Sequence, residues 1–290
     1  MYLVILNMNG IEVLRGCLRS AERMDYPNWK AVVVDNGSTD GSQEMVKKEF
    51  PRVHLIENGK NLGVAEGQNI GIRHALSDGA GYVFVLNNDL VLDSATVSEL
   101  AKACSSDPSI GIAGPVLYSA AHREELQSAG GMLNRGRAET YHLTSFPASA
   151  AQGPYDVDYI GLVFASRKAI EKIGLFCTPF FAYWEDVEIC ARARLAGYRV
   201  VSVPTSKVWH EGSFTTKRMS SFFKYYTTRN RFLFMRKHAD TRSYLSSLLF
   251  FLVWRFPEEH FIYLFRKGDL KVLKAVYRGA LHGIIGEQLC

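Results

Sequence analysis

No stretch of this chain is long and apolar enough to cross a bilayer. The longest uninterrupted run, Leu248 to Trp254, has seven residues, where a spanning helix needs roughly 20. The opening MYLVILNMNG carries no basic leader region, so a secretory route is not expected and a cytoplasmic location is. Cysteine is scarce. Cys17, Cys104, Cys177, Cys190 and Cys290 show no CxxC spacing, which argues against structural zinc and a disulfide framework and fits a reducing compartment. Gly63, Gly67 and Gly71 fall at GxxxG rather than GxGxxG spacing, which removes the case for a dinucleotide site and leaves close helix packing. There is no recognisable DNA- or RNA-binding motif, so nucleic acid is not an expected partner.

What the sequence does have is core: a hydrophobic content of 47% over 290 residues is ample for one large α/β domain or two small ones. Its charge is lopsided. Within a net charge of +5, residues 1–214 hold 20 Lys and Arg against 24 Asp and Glu, whereas residues 215–290 hold 14 against 5. The cations of the tail alternate with Phe, Tyr and Trp, which suits an anionic surface, either membrane lipid or a phosphate-bearing substrate. The charge step sets an acidic body over 1–214 apart from a basic and aromatic extension over 215–290.

The chain is organised around YVFVLNNDLVLD, Tyr82 to Asp93. Tyr82 to Leu86 reads as a strand buried on both faces that stops at Asn87-Asn88-Asp89. In an open α/β sheet the carboxyl ends of strands face the ligand crevice, and Asp89 would offer hard oxygen to a cation there. The pattern recurs upstream. Tyr2 to Leu6 ends at Asn7 and Ala31 to Val34 ends at Asp35, each followed by a polar turn and a helix (Gln43 to Phe50 for the second). A third short strand at Val53 to Ile56 and a helix over Asn61 to Leu76 complete an alternation that predicts a parallel sheet with helices on both faces. Asp35 at a strand exit can accept a hydrogen bond from a base or ribose; turn and N-cap roles compete for it, for Ser38 and for Asp40. Tyr118 to Asp158 is polar and irregular, either hairpins or a long loop, and Val157 to Ser166 and Arg199 to Val203 read as further strands.

In PFFAYWEDVEICARARLAGYRV, helical spacing begins at Glu185 and Gly197 is a natural C-cap. Glu188 and Arg192 stand at i,i+4. Three carboxylates within four residues, Glu185, Asp186 and Glu188, repel one another unless a cation or a proton-transfer task favours them. His210, after a further strand, could join a carboxylate on a divalent ion.

These segments match a known family. In order and spacing, VILNMNG, VVVDNGSTDGS, NLGVAEGQNIGI, VLNNDL, GLFCTPFFAYWEDVEICARARLAGYRV, VWHEG and YYTTRNRFLFMRKH resemble family 2 glycosyltransferases of the GT-A fold, in the rhamnosyltransferase-like branch that builds surface glycans. The resemblance implies an α/β fold with a mostly parallel central sheet, a nucleotide-sugar-binding and catalytic domain over 1–214 and a C-terminal helical extension over 215–290. It also implies an inverting transfer of a sugar from a dTDP, UDP or GDP donor to a hydroxyl of a glycan or lipid-linked acceptor, with Mg2+ or Mn2+ as cofactor. By position, Asp35 would bind the base, and Asn7, Asn61, Asn87, Asn88 and Trp184 would contact the nucleotide sugar. Asn87, Asn88 and Asp89 are similar to the family's Asp-x-Asp motif, with Asp89 and His210 on the metal, and Asp186 beside Glu185 matches the catalytic base. Asn87 stands where the motif often has its first aspartate, and Cys177-Thr178 replaces a frequent Asp-Glu.

The chemistry agrees, because displacement at an anomeric carbon needs a base for the acceptor hydroxyl and charge neutralisation at the leaving diphosphate. A sugar nucleotidyltransferase would want a cationic loop after its first strand, and Asn7-Met8-Asn9-Gly10 has none. A degenerate, glycan-binding scaffold is the non-enzymatic alternative. The tail resembles the family's C-terminal helices, which lie by the acceptor; its charge and apolar run suit the inner face of the cell membrane, and an amphipathic helical cap or a dimer interface are the alternatives.

Overall fold

In the computed structural model, which describes residues 1–211 and 220–286, the opening segments alternate as expected: β1 (Tyr2–Asn7), α1 (Ile11–Ala21), β2 (Lys30–Asp35), α2 (Ser42–Glu49), β3 (His54–Glu57), α3 (Val64–Ser77) and β4 (Tyr82–Asn87). Leu3, Val4 and Ile5 of β1 and Val32, Val33 and Val34 of β2 are wholly buried, because helices cover both faces of these strands. Gly67 and Gly71 let α3 lie close on the sheet: a Cβ on either would come within 2.4 Å of Leu6 or Val4. Close packing is thus the role of the GxxxG pair.

The chain continues through β5 (Leu90–Leu92), α4 (Thr96–Ser106), β6 (Ile110–Ser119), β7 (Leu126–Ser128), β8 (Gly131–Asn134), β9 (Glu139–His142), β10 (Tyr155–Asp156), β11 (Phe164–Ser166), α5 (Arg167–Ile173), α6 (Glu185–Leu195) and β12 (Arg199–His210). The main sheet runs β10-β12-β6-β11-β4-β1-β2-β3, with β5 on β12 and β7 on β6. It is mixed rather than mostly parallel. β4, β1, β2 and β3 are parallel neighbours, and so are β6 and β12, but β11 lies antiparallel between β4 and β6, and β5, β7 and β10 also pair antiparallel. Strands that reverse direction need no crossover helix, and no α-helix lies between β6 and β11. The irregular stretch after Tyr118 resolves into β7 pairing back on β6 and a separate β8-β9 pair, whereas the strand expected over Val157 to Ser166 is reduced to β11.

The chain divides into two units. The first comprises Met1–Met132, His142–Cys177 and Asp186–Gly212; the second comprises Leu133–Tyr141, Thr178–Glu185 and Ser213–Cys290. The boundary expected after Phe214 lies outside the described residues. Cys17, Cys104 and Cys190 are free, while Cys177 is disulfide-bonded, which the cysteine spacing did not lead us to expect.

The second unit is helical: α7 (Ser221–His238), α8 (Thr241–Phe250), α9 (Phe256–His260) and α10 (Leu270–Ile285), with π-helical turns at Phe251–Arg255 and Phe261–Arg266. Pro257 has no N–H to continue the ladder, and the helix widens just before it. Phe232, Phe251, Val276 and Ala280 form its core. Gly279 and Gly283 allow α10 to approach α7, since a Cβ there would meet the Tyr225 and Arg229 carbonyls at 2.6 and 2.5 Å.

Candidate active site

Parallel pairing aligns the strand ends of the first unit. Asn7 is in register with Asp35, Asp35 with Glu57, and Leu6 with Asn87. Asp35 is buried and collects five hydrogen bonds. Its Oδ1 accepts from the backbone N–H groups of Gly37 (3.1 Å) and Ser38 (2.8 Å) and from Gln43 Nε2 (2.8 Å), and its Oδ2 accepts from Asn7 Nδ2 (3.0 Å) and Ser38 Oγ (2.5 Å). Asn88 Nδ2 donates to Asn7 Oδ1 at 2.7 Å, so β4 joins the same network. Asn61 belongs to a neighbouring one, where its Oδ1 accepts from the Gly63 N–H at 2.9 Å and from Asn36 Nδ2 at 3.4 Å. Ser38, Gln43 and Asn36 were not singled out as site residues. The sequence VVVDNGSTDGS reads as an ordinary turn until the donors are seen to converge. Asp40 acts as a cap for more than its own turn, accepting from the Ile11 N–H at 2.9 Å as well as from Ser42.

Asp89 and His210 are far apart in sequence and adjacent in space. β12 continues through Pro204 because a register shift between Val203 and Lys207 absorbs the missing donor. It then pairs with the short β5, His210 opposite Leu90, which sets His210 Nε2 3.1 Å from Asp89 Oδ2. Both side chains are largely buried. Cis ligands on an octahedral Mg2+ lie about 3 Å apart, a spacing that this carboxylate and imidazole meet. Among the described residues no group of three or more His, Cys, Asp or Glu could hold a metal alone. Nearby Cys17 is no nucleophile, because burial, then the charge of Asp89, pushes its thiol up to about 12.

Asp186 sits in the first turn of α6, where its Oδ1 accepts from the Val187 N–H at 2.8 Å. Burial raises its carboxyl to about 6. Gly161 is close by, its side-chain position 3.6 Å from Asp186 Oδ2. Glu188 is also buried but is committed to Arg192, at 2.9 Å to Nε and 2.8 Å to NH2, and is therefore a structural ion pair.

The segment leading to Asp186 belongs to the second unit up to Glu185 and holds a costly backbone. Phe181, Tyr183 and Trp184 have φ of 60°, 66° and 72°, a conformation that costs a side-chain-bearing residue roughly 1–2 kcal/mol. Asn230, fully buried in α7, offsets this. Its Nδ2 donates to the carbonyls of Phe180 (2.7 Å), Ala182 (2.8 Å) and Tyr183 (2.7 Å), and Arg229 donates to those of Pro179 and Phe180. Trp184 packs on Phe234 within this unit, apart in sequence grouping from Asn7, Asp35 and Asn87.

Residues 2–174 match the model of the family described as "Glycosyl transferase family 2". The chain belongs to that family. The match holds Asn7, Asp35, Asn61 and Asn87 to Asp89 and ends before Trp184, Glu185, Asp186 and His210. Relatives of this family 2 glycosyltransferase extend the likeness. The "dTDP-rhamnosyl transferase RfbF" of Shigella flexneri is 27% identical over 89% of this chain and 87% of its own. The "Low-salt glycan biosynthesis hexosyltransferase Agl10" of Haloferax volcanii is 28% identical over 87% and 82%. Among solved structures, the mannosyltransferase PcManGT from Pyrobaculum calidifontis, in complex with GDP-Man and Mn2+, has a TM-score of 0.61 at 16% identity, over 99% of this chain and 76% of that one. The GT-A fold expected from the motifs is the fold observed.

Proposed function

We propose that this glycosyltransferase moves a hexose, rhamnose by the names of its relatives, from a dTDP, UDP or GDP sugar to a hydroxyl of a glycan or lipid-linked acceptor in surface polysaccharide synthesis, inverting the anomeric centre. The observation that carries the proposal is the row of polar strand ends, Asn7, Asp35 and Asn87, on the same sheet that sets Asp89 beside His210. In this reading Asp35 and the loop it organises hold the base, with Gln43 giving up its hydrogen bond to a base N–H, and Asn61, Asn87 and Asn88 line the ribose, sugar and phosphates. Asp186, with Glu185 beside it, takes the acceptor proton as the acceptor oxygen bonds to the anomeric carbon and the diphosphate leaves. Asp89 and His210 would hold Mg2+ or Mn2+, which neutralises charge on the leaving diphosphate.

The test is thermal unfolding with a panel of nucleoside diphosphates and nucleotide sugars, with and without Mn2+. At a hundredfold excess over Kd the correct nucleotide should add about 2.7 kcal/mol of apparent stability, and only with the metal present. A folded protein that responds to no nucleotide would instead support the degenerate scaffold.

The second unit is proposed to rest on an anionic membrane face. Leu249, Val253, Trp254, Phe261 and Phe265 are each more than half exposed, and Arg266, Lys267, Lys271, Lys274 and Arg278 are exposed on the same unit. Apolar side chains flanked by cations suit an interfacial helix, and no helix among the described residues is long and apolar enough to cross a membrane. Co-sedimentation should be strong with phosphatidylglycerol vesicles and weak with phosphatidylcholine; equal recovery from both would reject this attachment.

A further inference from the structure

Within the second unit a cavity of about 460 Å³ lies among the β8-β9 hairpin, α7 and the Phe251–His260 stretch. Its volume falls in the range of small-ligand sites. Four cations line it, Arg137, Lys224, Arg231 and Arg255, against two carboxylates, Glu139 and Glu259. Glu259 is already shared by Lys224 at 2.7 Å and Arg255 at 3.6 Å, and Arg255 also meets Glu258 at 2.7 Å. Arg231 is different. Its guanidinium lies 6.0 Å from the centre of the Phe251 ring, its Nε is buried with no hydrogen-bond partner, and no carboxylate among the described residues forms an ion pair with it. Burial, and then the charge of Arg255, pushes its guanidinium down to about 10. The attraction of Glu139 and Glu259 offsets this only in part, and with Glu258 counted the four cations face three carboxylates, which leaves one net positive charge for a phosphoryl anion to neutralise. One acceptor also faces inward: Glu259 Oε2 is buried without a partner. Trp184, Tyr141 and Phe223 supply flat apolar wall.

We infer that this cavity binds a sugar phosphate. Arg231 and Arg137 take the phosphoryl oxygens, and Glu259 Oε2 accepts from a sugar hydroxyl. Assignment of the ligand to the acceptor side rests on the transferase reading above; the site itself does not, since every lining residue belongs to the second unit.

Calorimetric titration of the full chain with glucose 1-phosphate, inorganic phosphate and glucose tests the inference. Glucose 1-phosphate should bind at least tenfold more tightly than either of the others. Arg231→Gln should weaken it tenfold or more without lowering the melting temperature, and the exposed Arg137→Gln should weaken it severalfold with the fold undisturbed. Saturating nucleoside diphosphate should leave its affinity unchanged. No binding to the wild type, binding indifferent to both substitutions, inorganic phosphate equal to the ester, or competition by the nucleotide would each overturn the site. A nucleotide titration on the same preparation separates the two ideas: sugar phosphate without nucleotide binding removes the donor reading alone, and the reverse removes this one alone.

Discussion

Asp186→Asn should abolish transfer and yet make the protein more stable. Loss of a general base costs about 10² to 10⁴ in rate, and the amide keeps the shape and can still accept from the Val187 N–H, so nucleotide binding should survive. The stability gain follows from the raised carboxyl, which stands at about 6 in the folded protein, against about 3.9 in the unfolded chain. The folded state holds its proton more tightly. The contribution of this group is therefore most favourable below the unfolded value and is lost as pH climbs from about 4 to 6. At pH 7 the buried charge costs up to about 3 kcal/mol, and the variant escapes that cost. Urea unfolding should show Asp186→Asn above the wild type at pH 7, with the two curves converging near pH 4. The acid limb of kcat/KM should likewise fall near pH 6 with unit slope. A variant that loses nucleotide binding and stability together would mark Asp186 as structural.

Much of the first unit was legible because its strands are short, apolar and separated by helices, so that period alone separates them. Asn7, Asp35 and Asn87 group together from the sequence alone, since parallel strands end on one side. The sheet beyond β4 was less legible. Pro204 argues against a strand, and only the register shift opposite β6 shows how a strand passes through it. β5 is three residues long, too short for a period to register. Asn230 is a further case, an amide inside a charged and aromatic helix whose value lies in three carbonyls 47 to 50 residues away. Nothing local marks it. Residues 133–141 and 178–185 group with the C-terminal helices for the same reason. Their partners are distant in sequence, and composition carries no trace of them.

Geometry also sorts the acidic cluster that composition could only count. Glu188 is bound to Arg192, whereas Asp186 has only backbone donors and a raised carboxyl. Removing the ion pair would damage the helix; removing Asp186 should damage the chemistry. The same distinction applies at the strand ends. Asp35, with five donors, is held in place and organises a loop, and Asp89, set against an imidazole, is suited to exchange that neighbour for a cation.

Asp89→Ala should therefore reduce kcat by about 10² to 10³, the scale of losing electrostatic stabilisation at a developing charge, and should erase the response of both activity and nucleotide binding to Mn2+. His210→Ala should produce the same loss of metal response with a smaller fall in rate, because a carboxylate alone can retain an ion that the diphosphate also binds. The decisive comparison is the double variant. Two ligands of one ion act as a unit, so the pair of substitutions should cost little more than Asp89→Ala alone, a coupling comparable to the smaller single effect. Residues with separate tasks would show multiplied losses. Metal titrations of activity on the four proteins, at saturating nucleotide sugar, give the result directly. If Asp89→Ala keeps the wild-type dependence on Mn2+, or if the two losses multiply, the 3.1 Å contact between Asp89 and His210 is a hydrogen bond that closes β12 onto β5, and the ion is held elsewhere.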